Sequence, residues 1–359
     1  MAAHPPLNEL RRALVIKLRH HGDVLLASPV LSVLKSRAPQ IEIDALVYAD
    51  TAEMLSLHPA LSHLFVIDRQ WKRLGIAKQF QREKSLLGDL RRRRYDLVIH
   101  LTEHWRGAWI TRLCGCRWSV APSVTGRGSF WRDSFSHLVR QPRGGPRHVV
   151  ETNLDALRLL GIHPEFDERR LVMVAGDEAE QQVTDQLERL ALAQRPFIHV
   201  HPASRWQFKC WPAQKMSALI ERLQEKGWPV ILTAAADAGE QAMIAAIQSR
   251  LTTPAASLAG QLSLKQLAAL TRRARLFVGV DSAPMHIAAA MQTPVVALFG
   301  PSGEAHWGPW TAKRRIVTSA SHSCRPCGID GCGGSKVADC LTGLPVDTVL
   351  AACTELLGD

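Results

Sequence analysis

Short apolar runs alternate with helical segments twice along this chain, and this alternation limits the possible fold more than any other feature. Strands are predicted at 14–18, 41–47, 64–67 and 96–101, and again at 197–201, 230–233, 257–259, 276–280 and 295–299. Apolar strands separated by helices of this length are typical of a parallel sheet covered by helices. The sequence therefore predicts an α/β protein with two Rossmann-like domains and a central cleft.

The domain boundary is predicted from a polar segment, residues 165–176, that lacks helical periodicity. A chain of 359 residues is long enough for two domains of ordinary size. We expect an N-terminal domain over 1–172 and a C-terminal domain over 173–344. The remaining segment, 345–359, contains a predicted helix that could pack back on the N-terminal domain.

The chain is basic, with a formal net charge of +11. Residues 69–94 contain ten Lys or Arg against the two acids Glu83 and Asp89. Such a stretch attracts nucleic acid, anionic lipid or a phosphorylated substrate, or it is simply a solvated helix face. Because the sequence shows no leader peptide, membrane span or nucleic-acid motif, we expect a soluble, cytoplasmic protein.

A strand, a tight turn and a helix are predicted in succession over residues 277–290. Asp281 and Ser282 fall where the strand ends and the helix begins. Free N–H groups and the helix dipole at such a junction favour an anion, typically phosphate. The alternative is a capping residue on a purely structural helix.

Two common nucleotide-binding patterns are missing from the chain. Neither the glycine-rich dinucleotide fingerprint after the first strand nor the phosphate-binding loop of ATPases is present. These absences argue against an NAD enzyme and against an ATPase.

Three motifs, in order along the chain, resemble glycosyltransferase family 9, the bacterial lipopolysaccharide heptosyltransferases. They are KLRHHGDV at 17–24, HPASR at 201–205 followed by KCWP at 209–212, and VDSAPMH at 280–286 with FGPS at 299–302. The details are most similar to the heptosyltransferase III subgroup. This resemblance implies a GT-B fold, an ADP-heptose donor held by the C-terminal domain, an inverting transfer, and no required cofactor or catalytic metal.

An inverting transfer needs a base for the acceptor proton and positive charge for the departing diphosphate. Asp23 follows a glycine in the turn after the first strand, and the matching family residue is the proposed base; the alternative is a helix cap. Lys209 lies in the loop after the first strand of the second domain. Its family counterpart contacts the donor phosphate; the alternative is an exposed structural lysine.

The remaining donor contacts are implied by the same resemblance. Asp281 is expected to bind a hydroxyl of the donor sugar, and either Asp237 or Glu240 to hold the ribose. His286 is either a phosphate contact or a core histidine. The residues expected around the diphosphate are Ser204, Arg205, Ser282, Ala283, Pro284 and Met285.

The acceptor is expected on the N-terminal domain. Inner-core acceptors carry carboxylates and phosphates, which a basic rim would bind. The candidate residues are Arg69, Lys72, Arg73 and Arg106. The same basic surface would dock the protein peripherally at the cytoplasmic face of the inner membrane, without insertion.

Four clustered cysteines near the C-terminus form a candidate structural zinc site: Cys324, Cys327, Cys332 and Cys340. Four thiolates at such spacing suit tetrahedral zinc. Free thiols are the alternative.

The predicted function is transfer of L-glycero-D-manno-heptose from ADP-heptose to a heptose of the lipopolysaccharide inner core, with inversion. Alternatives on the same fold are heptosyltransferase I or II, another sugar-nucleotide transferase, or a sugar-nucleotide epimerase. A non-enzymatic module that binds anionic lipid or nucleic acid through residues 69–94 is a further alternative.

Overall fold

The computed structural model describes residues 4–140 and 145–358. The chain divides into two compact units, which we call unit 1, up to Val174, and unit 2, from Ala175. Each unit contains one six-stranded sheet in which all neighbouring strands run parallel. The α/β class predicted from the alternation is therefore confirmed.

The elements of unit 1 follow one another as a regular alternation interrupted by short 3₁₀ turns at Ala49–Met54, Arg69–Arg73 and Asp167–Arg169. The strands are β1 (Arg12–Ile16), β2 (Glu42–Tyr48), β3 (Leu61–Ile67), β4 (Leu97–His100), β5 (Trp118–Pro122) and β6 (His137–Val139). The helices are α1 (His21–Leu25), α2 (Ser28–Arg37), α3 (Ile76–Arg93), α4 (Trp105–Cys114), α5 (Ser129–Arg132) and α6 (Val149–Arg158).

Unit 2 repeats this arrangement, with 3₁₀ turns at Gln207–Lys209 and Cys332–Gly334. Its strands are β7 (Ile198–His201), β8 (Val230–Leu232), β9 (Ala256–Ser257), β10 (Leu276–Val280), β11 (Val295–Phe299) and β12 (Arg314–Thr318). Its helices are α7 (Asp177–Arg189), α8 (Ala213–Glu225), α9 (Ala238–Gln248), α10 (Leu264–Arg273), α11 (Ala283–Ala290), α12 (Glu304–Trp307), α13 (Asp339–Thr342) and α14 (Val346–Leu357).

The two sheets share one strand order. Unit 1 has the order β3-β2-β1-β4-β5-β6, and unit 2 has β9-β8-β7-β10-β11-β12. In both, the first strand of the unit lies beside the fourth, so the direction of strand succession reverses between them. In open α/β sheets, ligands bind beyond the carboxyl ends of the strands at this reversal.

Interior strands are buried along their whole length, as β4, β7, β10 and β11 show. Helices cover both faces of a parallel sheet, so these strands are continuous apolar runs rather than alternating ones. The core of unit 2 gathers side chains from both of its sheet's central strands and from α8 and α14. This rigid interior fixes the strand ends from which the candidate site residues project.

The segment after β1 forms two helices rather than one. Helix α1 ends at Leu25 and α2 begins at Ser28, with Pro29 in its first turn. Proline is favoured there because the first turn needs no N–H from it, whereas it would break a helix interior.

The sequence reading missed three strands, β5, β6 and β12. The stretch 123–146 contains α5 and β6, while residues 141–144 lie outside the described part of the chain. Strand β6 has three residues and β12 carries two arginines, so neither presents the apolar run on which the predictions relied.

The last helix, α14, was expected to pack back on the N-terminal domain, whereas the structure places it in the core of unit 2. Helix α14 packs against α8 and against strands β10 to β12 of its own unit. Val349, Leu350, Cys353 and Leu357 belong to the core of unit 2. Their spacing of three to four residues gives the helix an apolar face that this core buries.

Candidate functional site

The strand reversal of unit 2 brings Lys209 and Asp281 together. Lys209 follows β7 and Asp281 follows the neighbouring strand β10. The Lys209 Nζ atom lies 2.6 Å from Asp281 Oδ2. Asp281 is 7% exposed, so its carboxylate is largely removed from water and the ammonium balances its charge.

Helix α11 begins directly after this pair. Ser282 occupies the N-cap position without a side-chain cap bond, and its Oγ donates to the Val280 carbonyl at 3.4 Å. Pro284 has no N–H to offer. The start of α11 therefore presents main-chain N–H groups of Ser282 and Ala283 beside the Lys209 ammonium, a combination that suits an anion.

Met285, expected around the diphosphate, offers it neither a free N–H nor an exposed side chain. Its N–H donates to the Ser282 carbonyl at 3.2 Å, and its side chain is fully buried in a core cluster with Phe277 and Phe299. His286 is also buried, at 3% exposure. The apolar face of α11 turns both side chains away from solvent, because the helix packs on the sheet through that face.

The loop between β7 and Lys209 carries the other two expected donor contacts. Ser204 is buried, and its Oγ accepts the Trp206 N–H at 3.3 Å. Arg205 is exposed, with its guanidinium 5.3 Å from the centre of the Trp206 ring. Ser204 thus shapes the loop, while Arg205 holds a positive charge at its surface.

Asp237 and Glu240, the alternative ribose ligands, have different structural roles. Asp237 caps α9, with Oδ1 accepting the N–H groups of Gly239 at 2.9 Å and Glu240 at 3.3 Å. Glu240 lies in the first turn, and its Oε2 accepts the Ala235 N–H at 2.8 Å. Burial raises the pKa of Glu240 above its ordinary value. The capping role of Asp237 leaves Glu240 as the better candidate.

Two buried histidines, His199 and His201, lie near Glu240, and neither was predicted from the sequence as a site residue. His201 Nε2 lies 3.8 Å from Glu240 Oε2, and His201 Nδ1 lies 2.9 Å from Thr233 Oγ1. Thr233 Oγ1 also lies 2.6 Å from Nε2 of His199. Burial lowers the pKa of His201 to about 4, so this side chain is neutral at pH 7. His201 therefore lies beside Glu240 as a neutral ring and adds no charge there.

In unit 1, Asp23 lies just beyond the carboxyl end of β1. It falls in the first turn of α1, where His20 occupies the N-cap position, so Asp23 is not the capping residue. Its side chain is 14% exposed, and its Oδ1 lies 3.7 Å from Arg19 Nε. The carboxylate is thus held near the sheet reversal with access to solvent, as a base requires.

Lys17 adds a buried positive charge beside Asp23. Its Nζ donates to Asn153 Oδ1 at 2.9 Å and to the Leu101 carbonyl at 3.1 Å. Burial lowers the pKa of Lys17 to about 8, and the charge of Asp23 acts in the opposite direction. A lysine at the end of an apolar strand was the signal available in the sequence, although no role was assigned to it.

The four predicted acceptor cations fall into two groups. Arg69 pairs with Asp50, donates to the Arg19 carbonyl at 3.0 Å and stacks on a tyrosine ring. Arg106 pairs with Glu83 on α3. Lys72 and Arg73 lie in the 3₁₀ turn after β3, and both side chains are exposed. The first group holds the fold together, whereas the second is available to a ligand.

The four cysteines proposed as a zinc site do not fit one as they are placed. Cys324, Cys327 and Cys332 are exposed, while Cys340 is buried in the core of unit 2. All four are free thiols. Over residues 4–140 and 145–358, no group of three or more His, Cys, Asp or Glu could hold a metal ion.

Comparison with known proteins identifies the family. The model of glycosyltransferase family 9 (heptosyltransferase) matches residues 84–337. The lipopolysaccharide heptosyltransferase 3 of Escherichia coli K12 is 35% identical over 342 residues, which cover 95% of this chain and 96% of the relative. The chain belongs to glycosyltransferase family 9.

Solved structures of family 9 glycosyltransferases have the same fold as this family member. A Veillonella parvula glycosyltransferase has a TM-score of 0.84 at 22% identity, covering 97% of each chain. An E. coli heptosyltransferase solved with ADP-2-deoxy-2-fluoro heptose has a TM-score of 0.70 at 20% identity, covering 96% of this chain and 99% of that one. The predicted GT-B fold is therefore confirmed.

Proposed function

We propose that this family 9 glycosyltransferase moves L-glycero-D-manno-heptose from ADP-heptose to a heptose of the lipopolysaccharide inner core, with inversion. The observation that carries the proposal is the 35% identity to an E. coli lipopolysaccharide heptosyltransferase 3 over nearly the whole chain. The alternatives of the same fold match less well by sequence: an E. coli heptosyltransferase 2 is 25% identical.

The donor would bind to unit 2 at the reversal between β7 and β10. Lys209, Arg205 and the start of α11 would meet the diphosphate, supported by the ammonium and N–H groups described above. Glu240 would accept hydrogen bonds from the ribose hydroxyls, and Asp281 from a heptose hydroxyl. A solved relative contains an ADP-heptose analogue, which agrees with this choice of donor.

The chemistry is a single displacement. Asp23 would take the proton of the acceptor hydroxyl as its oxygen attacks the anomeric carbon of the heptose. The bond from that carbon to the diphosphate oxygen breaks, and ADP departs with the bonding electrons. Lys209 would stabilise the negative charge that develops on the leaving diphosphate.

The acceptor would bind to unit 1. Lys72 and Arg73 are exposed and follow the carboxyl end of β3, where they can meet acceptor phosphates or carboxylates. Because a lipopolysaccharide acceptor is anchored in a membrane, the protein would work peripherally at the cytoplasmic face of the inner membrane. Among the helices described, none is long and apolar enough to cross a membrane.

The test is ADP release from ADP-heptose, measured with heptose-containing inner-core acceptor, with heptose-free acceptor and with none. We expect release only with the heptose-containing acceptor. Asp23→Asn should lower turnover by about a hundredfold or more while leaving ADP-heptose binding intact. Asp133→Asn, which removes an exposed carboxylate from the same unit, is the matched control.

Four results would contradict the proposal. Release with the heptose-free acceptor would indicate a transferase that acts earlier on the core. Conversion of the sugar nucleotide without any acceptor would indicate an epimerase. Donor binding without turnover on any core acceptor would favour another sugar acceptor, and absence of donor binding would favour a non-enzymatic binding module.

A further inference from the structure

The N-terminal half of α3 projects from unit 1. Leu86 and Leu90 are the buried residues of this helix, and both belong to its C-terminal half. They pack in a core cluster with Trp71 and Phe65. Between residues 69 and 85 no residue is fully buried, and only Trp71, Gln79 and Glu83 are half-buried, so the first turns of α3 are largely in solvent.

Large apolar side chains are exposed on this segment, residues 69–85. Ile76 is 90% exposed, Phe80 is 68% exposed and Leu74 is 43% exposed. Ile76 and Phe80 are four residues apart and therefore share one face of the helix. Exposed apolar side chains clustered in this way indicate a surface that binds a membrane or a partner molecule.

Basic side chains surround this apolar face. Lys84 continues the same stripe one turn further, and its aliphatic stem can lie along an apolar surface while its ammonium stays in water. Within the described residues, the structure records no ion pair for Lys78, Arg82 or Lys84. Their charges are thus available to anionic groups outside the protein.

Helix α4 supplies a second apolar stripe next to the first. Trp105, Trp109 and Leu113, spaced four residues apart, are 39%, 54% and 42% exposed. The Arg106–Glu83 ion pair joins α4 to α3. Exposed tryptophan beside basic residues is the composition of protein surfaces that lie at a membrane–water interface.

We propose that the first turns of α3 and the outer stripe of α4 form a membrane-binding face for an anionic lipid bilayer. Ile76, Phe80 and Trp109 enter the headgroup region, and the surrounding Lys and Arg side chains meet lipid phosphates. This inference rests on the proposed function, because it gives the enzyme its approach to a membrane-anchored acceptor. It also replaces the purely electrostatic contact expected from the sequence with shallow insertion.

Charge and apolarity together favour lipid over the other possible occupants. Nucleic acid would complement the cations but not Ile76 and Phe80, and a second copy of the same basic face would repel it. An anionic bilayer offers phosphates at its surface and an apolar phase directly beneath.

The test is co-sedimentation of the full chain with vesicles, either of phosphatidylcholine alone or of an equal mixture of phosphatidylcholine and phosphatidylglycerol. We expect binding to the mixture and at least about tenfold weaker binding to phosphatidylcholine. Ile76→Ser with Phe80→Ser should weaken binding to the mixture by roughly ten- to a hundredfold. Lys78→Gln with Lys84→Gln should weaken it by about tenfold and reduce its dependence on salt.

Matched controls come from elsewhere in the chain. Phe166 of unit 1 is 76% exposed, and Phe166→Ser is the control for loss of an exposed apolar side chain. Neutral substitution of the exposed Arg189 and Lys226 of unit 2 is the control for loss of positive charge. None of these should change vesicle binding. The proposal would be overturned if the parent protein does not bind vesicles, or if the Ile76/Phe80 variant binds them as well as the parent does. It would also be overturned if the parent protein dimerises or binds nucleic acid through this face instead of binding vesicles, and the Ile76/Phe80 variant loses that interaction.

Activity on a deacylated, water-soluble inner-core acceptor separates this inference from the proposed function. The Ile76/Phe80 variant should turn over that acceptor at the parent rate and lose activity only on vesicle-bound lipopolysaccharide. If the parent protein binds vesicles but turns over neither acceptor, the proposed function fails and the membrane face stands.

Discussion

The ammonium of Lys209 lies 2.6 Å from the carboxylate of Asp281, at the strand reversal of unit 2. The cation proposed for the donor diphosphate is therefore held in place by an acid from the neighbouring strand end. An ion pair that exists before the donor arrives fixes the lysine side chain, so less conformational entropy is lost when a phosphate binds. It also means that the donor competes with Asp281 for the same ammonium.

Substitution of only one member of this ion pair should destabilise unit 2. Lys209→Met leaves the buried Asp281 carboxylate without its cation, which should cost about 1–3 kcal/mol because Lys209 itself keeps some solvent contact. Adding Asp281→Asn should restore most of the melting temperature but not turnover. Thermal unfolding and ADP release measure the two effects, and a double variant as unstable as Lys209→Met would show that the pair is not the cause.

Substitution of Glu240 should affect ADP binding, whereas substitution of Asp237 should affect stability. Glu240→Gln should weaken ADP binding by about tenfold, the effect of one hydrogen bond to a charged group, as measured by titration calorimetry. Asp237→Ala should lower stability by about 1 kcal/mol through the lost helix cap, with little change in affinity. The reverse pattern would move the ribose contact to Asp237.

His201 should make the protein sensitive to mild acid. Its pKa is about 4 in the folded protein and 6.5 ordinarily, so between these values the unfolded chain binds a proton that the folded chain does not. The free energy of unfolding should therefore fall as pH drops from 6.5 to 4, by about 3 kcal/mol for this residue.

The comparison that isolates His201 is the difference between parent and His201→Gln across this pH range. His199 and Glu240 face His201 and titrate as well, and they remain in both proteins. We expect a shallower decline in the variant, measured by urea unfolding in a pH series. Parallel curves would mean that His201 is already protonated in the folded state.

Two glycines within helices should respond oppositely to substitution by alanine. A Cβ at Gly107 in α4 would clash with the buried His100 ring, so Gly107→Ala should cost about 1–3 kcal/mol. At Gly88 in α3 the nearest atom to a new Cβ is Arg92 Nη1 at 3.7 Å, so Gly88→Ala should stabilise by about 0.5–1 kcal/mol. Melting temperatures test both, and a stable Gly107→Ala protein would mean that His100 can move.

Interior strands such as β10 and β11 could be predicted because burial on both faces requires a continuous apolar run. The interior strand β5 was missed because a serine and a proline interrupt its apolar residues. Edge strands such as β6 and β12 lack this signature, since one side meets solvent and few residues suffice. Helix α14 was predicted as a helix, but its place in the core of unit 2 could not be predicted, because an apolar face does not specify which core covers it.

The site residues at strand ends could be predicted in the same way, by position after an apolar run. The pairing of Lys209 with Asp281, 72 residues apart, depends on the neighbouring placement of β7 and β10, which no local pattern encodes. Asp237 and Glu240 could not be separated from the sequence because both stand at the start of one helix, and only the cap geometry assigns their roles.

Both sheets follow one strand order, and in each the proposed reactive group comes just after the first strand: Asp23 after β1 and Lys209 after β7. The same sheet topology thus presents the proposed proton acceptor in unit 1 and the proposed cation in unit 2. Each copy can change its strand-end loops without disturbing the register of the other sheet. On the proposed assignment of the acceptor to unit 1 and the sugar nucleotide to unit 2, the preferences for the two substrates can diverge separately in evolution, each by substitutions confined to one half of the chain.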